Sequence, residues 1–239
     1  MTTGRILHLL PVSLGDSPLQ DWLPESVRAT AARLDTYIAE NAKTGRAFLK
    51  QIGTIRPIQD ITIHTLSPRT PPAEMRQWLA ALPDSGEIGL VSEAGCPAVA
   101  DPGAHVVALA HQLNITVRPW VGPSSILLGL MASGLSGQQF AFHGYAPIDA
   151  AARAKTLKLW ETHSARHQQT QMLIETPYRN MAMLATLLSS LKGDTRLCVA
   201  RALTTPQEYV MTRTVAEWQR TPPPELDKQP TLFLFLARA

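Results

Sequence analysis

Short apolar segments alternate with helical segments along most of this chain, and that alternation limits the possible folds more than any other feature. The apolar segments are repeatedly followed by Gly or Pro, as short strands are. Strands that alternate with helices predict α/β layers. The predicted strands are 5–10, 34–39, 61–66, 87–92, 115–120, 140–143, 172–175, 196–200, 208–212 and 231–236. The predicted helices are 45–52, 73–82, 104–113, 125–132, 151–163, 178–191 and 215–220.

Length and one turn predict two domains. A chain of 239 residues is one large or two small domains, at about 100–200 residues each. The Gly-Pro turn at Gly122 and Pro123 ends a strand and opens a helix, so we place a boundary there. The expected domains are an N-terminal α/β domain, 1–121, and a C-terminal α/β domain, 122–239. More strands follow one another directly in the second half, which predicts a mixed sheet there.

Composition excludes several classes of protein. Hydrophobic residues make up 45% of the chain, too many for a disordered protein. The net charge of only +3 argues against a protein that coats nucleic acid without sequence preference. Two cysteines exclude a disulfide scaffold and a Cys-rich metal site. No apolar run reaches the roughly 18 residues of a membrane span, and the first residues lack a signal-peptide layout. We therefore expect a cytoplasmic protein without a membrane partner.

Two loops of small residues follow consecutive predicted strands, at 92–103 and 121–125. Loops beyond the carboxyl ends of strands form the ligand crevice of open α/β sheets. Small residues such as Gly95 let backbone groups approach a ligand closely. The alternative is a pair of tight turns that need small residues for geometry alone. Neither loop has the pattern of a nucleotide phosphate loop.

Three further groups of residues are candidates for a chemical role. His163 and His167 have the spacing of helical metal ligands, but they lie in a polar segment that reads as a helix end. Cys96 is either a nucleophile or a small hydrophobe in a tight loop, and the latter is favoured because no His is placed beside it. A predicted helix carries several cations that form either an RNA phosphate track or an ordinary solvated face. These cations are Arg153, Lys155, Lys158 and Arg166.

A series of motifs spans most of residues 87–212. Residues 92–97 and 101–103 approximate SDAGTP and DPG, and residues 121–123 approximate PGP. Further on, 174–179 approximates FYESPHR and 199–204 approximates LARELT. As a series these motifs resemble the tetrapyrrole methylase superfamily, the class III methyltransferases that use S-adenosylmethionine (SAM). Within it they are most similar to the bacterial branch that 2′-O-methylates a cytidine of small-subunit ribosomal RNA.

The resemblance implies two α/β domains with the cofactor cleft between them, SAM in that cleft, and a homodimer. It also implies a set of SAM contacts, carried over motif by motif. These are Pro11, Gly95, Cys96, Val99, Asp101, Ser124, Ser125, Glu175, Ala202 and Leu203. No metal is implied, because methyl transfer from a sulfonium needs none.

The chain departs from the family pattern in residues 39–49, where an AEDTRH-type element is altered. Asn41 replaces its acid and Lys43 its arginine, whereas Glu40 survives as the candidate catalytic base or substrate orienter. Fold and cofactor therefore transfer more safely than the methyl acceptor. We expect a SAM-dependent methyltransferase acting on ribosomal RNA at a ribose 2′-oxygen. The alternatives are a tetrapyrrole or other small-molecule acceptor, or a non-catalytic relative that binds SAM or RNA.

Overall fold

The structure is a computed structural model that describes residues 4–238. It divides into two compact units, an N-terminal unit that ends at Ser124 and a C-terminal unit that begins at Ser125. The expected boundary after residue 121 falls in the loop just before this division and stays a prediction about domains. Among residues 4–238, no helix is both long and apolar enough to cross a membrane.

The N-terminal unit is built around five parallel strands. They are β1 (Ile6–Leu9), β2 (Thr36–Ala39), β3 (Thr62–Thr65), β4 (Glu87–Val91) and β5 (Thr116–Pro119). The helices are α1 (Glu25–Arg33), α2 (Ala42–Ile52), α3 (Pro72–Ala80) and α4 (Gly103–Gln112), with 3-10 helices at Leu19–Asp21 and Ile58–Asp60. The strand order is β3-β2-β4-β1-β5, and every neighbouring pair is parallel.

Helices cover both faces of this sheet, because alternate strand residues point to opposite sides. On one face, Tyr37 and Val91 pack against apolar residues of α1 and α2, such as Val27 and Phe48. On the other face, strand residues pack against α3 and α4, with Leu79 fully buried among them. The chain thus leaves β1 toward one face and β4 toward the other. This makes the gap between β1 and β4 the topological switch point of the sheet.

The C-terminal unit contains a mixed sheet, as predicted. Its strands are β6 (Phe140–Tyr145), β7 (Thr170–Ile174), β8 (Arg196–Arg201), β9 (Tyr209–Thr214) and β10 (Thr231–Leu236), in the order β6-β7-β10-β8-β9. β6 and β7 are parallel, whereas β10 is antiparallel to both β7 and β8. The carboxyl ends of β7 and β8 therefore lie at the same edge of the sheet.

Helices flank this second sheet on both sides. They are α5 (Ser125–Ser133), α6 (Ala150–His167), α7 (Asn180–Ser190) and α8 (Val215–Trp218), with a 3-10 helix at Pro177–Arg179. α6, α7 and α8 enclose a core that includes Phe233 and Phe235 of the fully buried β10. α5 contacts β8, β9 and β10. At its closest point, a Cβ on Gly129 would come within 2.5 Å of Leu232, so only glycine allows this approach.

The predicted elements agree with the structure except in a few places. Each predicted strand overlaps one observed strand, but the sequence analysis did not predict α1. This helix buries only Val27, Ala31 and Ala32, so its apolar stripe is too short and too small to be recognised. In α4, Val106 is fully buried in the core, whereas the next residue, Val107, is only half-buried.

Candidate functional site

The loop after β4 is held in a compact form by Asp101. Oδ1 of Asp101 accepts hydrogen bonds from the backbone N–H groups of Ala98, at 3.0 Å, and Gly103, at 2.7 Å. A Cβ on Gly103 would lie 2.8 Å from that same oxygen, so glycine is required there. Gly95, Ala98 and Ala100 all have positive φ angles, of 74°, 67° and 63°. Gly95 therefore serves the turn geometry, as the alternative interpretation expected, whereas Ala98 and Ala100 adopt a conformation that their Cβ atoms disfavour.

This loop is joined to the loop after β1 at the switch point. Val12 and Gly95 form an isolated antiparallel bridge, with N–H···O distances of 3.0 and 3.1 Å. Just before it, the N–H of Leu10 donates to the carbonyl of Leu90 at 2.9 Å and extends the parallel pairing. The bridge places Pro11 and Gly95 side by side at the edge where ligands bind in open α/β sheets.

The loop after β5 closes against both of these loops. A Cβ on Gly122 would lie 2.1 Å from Cγ of Pro11, so the two residues are in direct backbone-to-ring contact. The thiol of Cys96 donates to the carbonyl of Pro123 at 3.3 Å. Burial raises the pKa of Cys96, which keeps it a neutral thiol. These observations favour the small-hydrophobe interpretation of Cys96 over a nucleophile, and its contact with SAM stays a prediction.

The loop after β2 joins the same group through Glu40. Oε1 of Glu40 accepts a hydrogen bond from the backbone N–H of Glu93 at 3.0 Å, and the hydroxyl of Thr44 donates to the Glu93 carboxylate at 3.1 Å. Burial raises the pKa of Glu40, and the nearby charges of Asp101 and Glu93 add to this effect. The loops after β1, β2, β4 and β5 thus converge, and Glu40 is a half-buried carboxylate among them.

One atom at this edge is suited to a ligand with hydrogen-bond donors. Oδ2 of Asp101 is buried and has no hydrogen-bond partner among residues 4–238. Burial also raises the pKa of Asp101, against the opposing effect of its backbone N–H donors. A buried carboxylate oxygen without a donor is costly, and a ligand hydroxyl or amino group would satisfy it.

The C-terminal unit presents its own predicted contacts at the carboxyl edge of β7 and β8. Glu175 follows β7 with its side chain 1% exposed, and its Oε1 accepts from Nη2 of Arg179 at 2.5 Å. Its Oε2 is buried and, within the described part of the chain, has no partner. Ala202 and Leu203 follow β8 and are buried, and Ala202 has a φ of 50°. The N–H of Ala202 donates to Pro230 at 2.8 Å.

Each predicted site residue can now be placed in one of the two units. The N-terminal unit holds Pro11 after β1, Glu40 after β2, Gly95, Cys96, Val99 and Asp101 after β4, and Ser124 after β5. The C-terminal unit holds Ser125 at the start of α5, Glu175 after β7, and Ala202 and Leu203 after β8. Their roles in binding or catalysis stay predictions.

Sequence reasoning missed the contacts that join the loops. Val12 and Thr44 were not singled out, although each bonds to the loop after β4. Their partners are distant in the sequence, and neither residue type carries a chemical signal of its own. Only knowledge of how β1, β2 and β4 pair in the sheet would have predicted these contacts.

The histidine pair and the cations lie on α6, as the sequence predicted for the cations. His163 and His167 are at its end, with rings 6.4 Å apart, and within residues 4–238 no group of three potential ligands surrounds a metal position. Lys155, Lys158 and Arg166 are exposed. Arg153 differs, because it donates to the carbonyl of Ile148 at 3.0 Å and to the hydroxyl of Thr186 at 3.3 Å.

The chain is similar to a known protein family and to several known proteins. The family model described as Tetrapyrrole (Corrin/Porphyrin) Methylases matches residues 17–219. Ribosomal RNA small subunit methyltransferase I of Xylella fastidiosa is 32% identical over 224 residues, which cover 92% of this chain and 76% of that protein. The protein of the same name from Synechocystis is 31% identical over 199 residues, covering 83% and 67% of the two chains.

A solved structure gives the same result for the fold. The crystal structure of the methyltransferase CobJ matches with a TM-score of 0.63 and covers 99% of this chain and 95% of that one. At 17% sequence identity this likeness concerns the fold alone. The predicted α/β class with two sheets, the family resemblance and the assignment as a methyltransferase are confirmed, and the family implies the use of SAM. With a family match over most of its length, the chain belongs to the tetrapyrrole methylases.

Proposed function

We propose that this protein transfers a methyl group from SAM to ribosomal RNA of the small ribosomal subunit, at a ribose 2′-oxygen. One observation carries the cofactor part of the proposal. It is the bridge between Val12 and Gly95, which joins the loop after β1 to the small-residue loop after β4 at the switch point of a parallel sheet. Ligands of open α/β sheets bind at such a point.

The residues at this edge suit SAM, which offers hydroxyl and amino donors as well as a flat adenine ring. Oδ2 of Asp101 is a buried acceptor that lacks a donor among residues 4–238. Gly95 has no side chain, which favours close approach to backbone groups, and Gly122 packs directly against Pro11. In the C-terminal unit, Oε2 of Glu175 is a second buried acceptor without a partner in residues 4–238. Ala202 and Leu203 add a buried apolar surface.

SAM supplies an activated methyl group on a positively charged sulfur. The protein's task is to hold the acceptor in line with that group, which is a proximity effect. A ribose hydroxyl is a weak nucleophile and benefits from a base. We assign this role, or that of orienting the acceptor, to Glu40. Its raised pKa brings the carboxylate closer to the operating pH, where a general base is most effective.

Ribosomal RNA is favoured as the acceptor because relatives about 30% identical over most of the chain are named as ribosomal RNA methyltransferases. Two basic faces support this choice. Lys43, Arg46 and Lys50 are exposed and recur along one side of α2, a helix without any acidic residue. Three exposed cations of α6 form the other face. Basic faces of this kind neutralise RNA phosphates.

A small-molecule acceptor such as a tetrapyrrole is the second candidate. It is supported by the description of the family. A non-catalytic relative is a further alternative, because Asn41 replaces the acid of the AEDTRH-type element. Asn41 instead caps α2, where its side chain accepts from the N–H of Lys43 at 2.8 Å.

Transfer of tritium from methyl-labelled SAM tests these alternatives directly. The acceptors are small ribosomal subunits and small-molecule extracts, both from a strain that lacks the protein. We expect label in the ribosomal RNA, in a nucleotide whose 3′ linkage resists alkaline hydrolysis, because a 2′-O-methyl group blocks that cleavage. Label in the extract alone would favour the tetrapyrrole alternative. Binding of SAM without transfer to either acceptor would favour the non-catalytic one.

The proposal includes a homodimer that works in the cytoplasm. Apolar side chains that are largely exposed in the C-terminal unit support a partner surface. Met131, Ile148 and Tyr178 are 78%, 75% and 77% exposed. Light scattering coupled to gel filtration measures the mass, and a mass of one chain of 26.1 kDa at all concentrations would contradict the dimer.

A further inference from the structure

His8, which is buried, and Trp120, which is half-buried, form a hydrogen-bonded pair next to the loop after β5. His8 lies on β1 and is 0% exposed. Its Nδ1 is 3.0 Å from Nε1 of Trp120, and its Nε2 is 3.1 Å from Oε2 of Glu87. An indole N–H can only donate. Nδ1 must therefore be the unprotonated nitrogen, and the ring proton is on Nε2, where it is donated to Glu87.

Charged groups from three neighbouring elements surround this pair. Glu87 on β4 also accepts from Nη2 of Arg33, on α1, at 2.5 Å. Arg118 on β5 places its guanidinium 5.3 Å from the centre of the Trp120 ring. The imidazole and the indole are stacked, with centroids 6.0 Å apart and planes 24° apart. The indole is thus held by one directional hydrogen bond within a packed group.

Trp120 is the residue from which the loop after β5 departs. Its backbone N–H donates to the carbonyl of Leu9 at 3.2 Å, in continuation of the β1–β5 pairing. The next residues include Gly122, which lies against Pro11, and Pro123, which accepts from Cys96. Trp120 therefore directly precedes the residues that meet the other two loops.

We propose that His8 is a positioning residue for SAM binding, because its Nδ1 lone pair holds Trp120 and so keeps the 121–124 loop in its binding conformation. This inference rests on the proposed use of SAM at these loops. His8 is buried within β1, before the loop begins, and we assign it no catalytic role. No direct contact with the ligand is needed.

The pair makes SAM affinity sensitive to acid. Protonation of Nδ1 would remove the acceptor and leave the Trp120 N–H without its partner. Burial lowers the pKa of His8 from its ordinary value of 6.5, Arg33 and Arg118 act in the same direction, and Glu87 opposes them. Neutral His8 is therefore the form present at neutral pH. We expect SAM affinity to be constant there and to fall as the pH drops below 6.5.

Calorimetric titration of SAM into four variants tests the inference. Trp120→Phe removes only the N–H donor and part of the ring, and His8→Leu removes the acceptor. Each should weaken binding about fivefold, the value of one hydrogen bond. The double variant should bind no worse than either single variant, because both changes break the same interaction. His8→Asn, whose Oδ1 can stand in for Nδ1, should bind within about twofold of the unmodified protein.

A matched control exists in the same unit. His64 and Trp78 also stack, with centroids 4.9 Å apart, on the outer strand β3 and on α3. Trp78→Phe should leave SAM affinity unchanged. The inference is overturned if Trp120→Phe and His8→Leu bind like the unmodified protein, if their effects add, or if His8→Asn is as weak as His8→Leu. Failure of the unmodified protein to bind SAM would instead overturn the proposed function.

A spectroscopic readout on the unmodified protein complements the binding measurements on the variants. The indole N–H of Trp120, assigned with Trp120→Phe, should shift in NMR spectra as His8 titrates below pH 6.5. SAM affinity should fall over the same interval, and in Trp120→Phe this fall should disappear. An indole resonance that does not move while affinity falls would contradict the role of His8.

Discussion

The backbone N–H of Glu93 donates a 3.0 Å hydrogen bond to Oε1 of Glu40, which lies 53 positions earlier in the chain. The contact joins the loops after β2 and β4, and it holds one oxygen of the carboxylate in place. A carboxylate fixed in this way can orient an acceptor or accept its proton. The variant Glu40→Gln separates these two roles.

Glu40→Gln should abolish most methyl transfer while preserving the loop. The Gln Oε1 can still accept from Glu93, but the side chain can no longer take a proton. We expect SAM affinity within about twofold of the unmodified protein. The rate of methyl transfer should fall by at least about 100-fold, as for loss of a general base. Single-turnover transfer to ribosomal RNA measures the rate. Glu74→Gln, on α3, is the control, and a normal rate in Glu40→Gln would remove Glu40 as the base.

Gly122→Ala should disrupt the junction of the loops. The added Cβ would lie 2.1 and 2.2 Å from Cγ and Cβ of Pro11, and neither a proline ring nor a backbone can yield easily. We expect SAM binding to weaken more than about tenfold, or roughly 1.4 kcal/mol. Gly137→Ala is the matched control because no atom lies within 4 Å of its Cβ position. Equal affinities for the two variants would show that the loop after β5 does not hold SAM.

Asp101→Asn should make the ligand-free protein more stable and its binding weaker. Burial raises the pKa of Asp101 above its ordinary 3.8, so the carboxyl stabilises the fold only at low pH, and this contribution is lost as the pH rises through the raised pKa. At neutral pH the charged form is therefore unfavourable in the fold. The variant should raise Tm by about 1–3 °C at neutral pH.

This advantage should shrink as the pH falls through the raised pKa of Asp101, where the carboxyl itself becomes neutral, and thermal scans at several pH values measure it. SAM affinity measured at neutral pH should fall, because the ligand loses a charged acceptor. A lower Tm together with unchanged SAM affinity would assign Asp101 to the loop alone.

The exposed cations of α6 should contribute to the salt dependence of RNA binding. Replacing Lys155, Lys158 and Arg166 with Gln should reduce the slope of log K against log salt by up to about 0.7–0.9 per lost phosphate contact. SAM affinity should not change. Arg153→Gln is the control on the same helix, because Arg153 is bonded to Ile148 and Thr186. A slope that is the same for both variants and the unmodified protein would exclude this face.

The individual elements could be predicted from the sequence because their signals are local. Strand β10, Thr231–Leu236, was predicted with its observed bounds, because a short run of Leu and Phe directly after Pro230 is typical of a buried strand. The loop after β4 was recognised from its small residues, of which Gly95 suits a positive φ angle and Gly103 leaves no space for a Cβ. The helix α1 was missed because its core face consists mainly of alanines.

The sequence by itself determined where strands, helices and small-residue loops lie, and through its motifs it determined the family. Only the tertiary structure decided which loops meet. The strand order β3-β2-β4-β1-β5 brings Val12 to Gly95 and Glu40 to Glu93, and it brings His8 to Trp120 across 112 positions. Contacts at such separations depend on how both faces of the sheet bury their apolar residues at once. No local period in the chain records that choice.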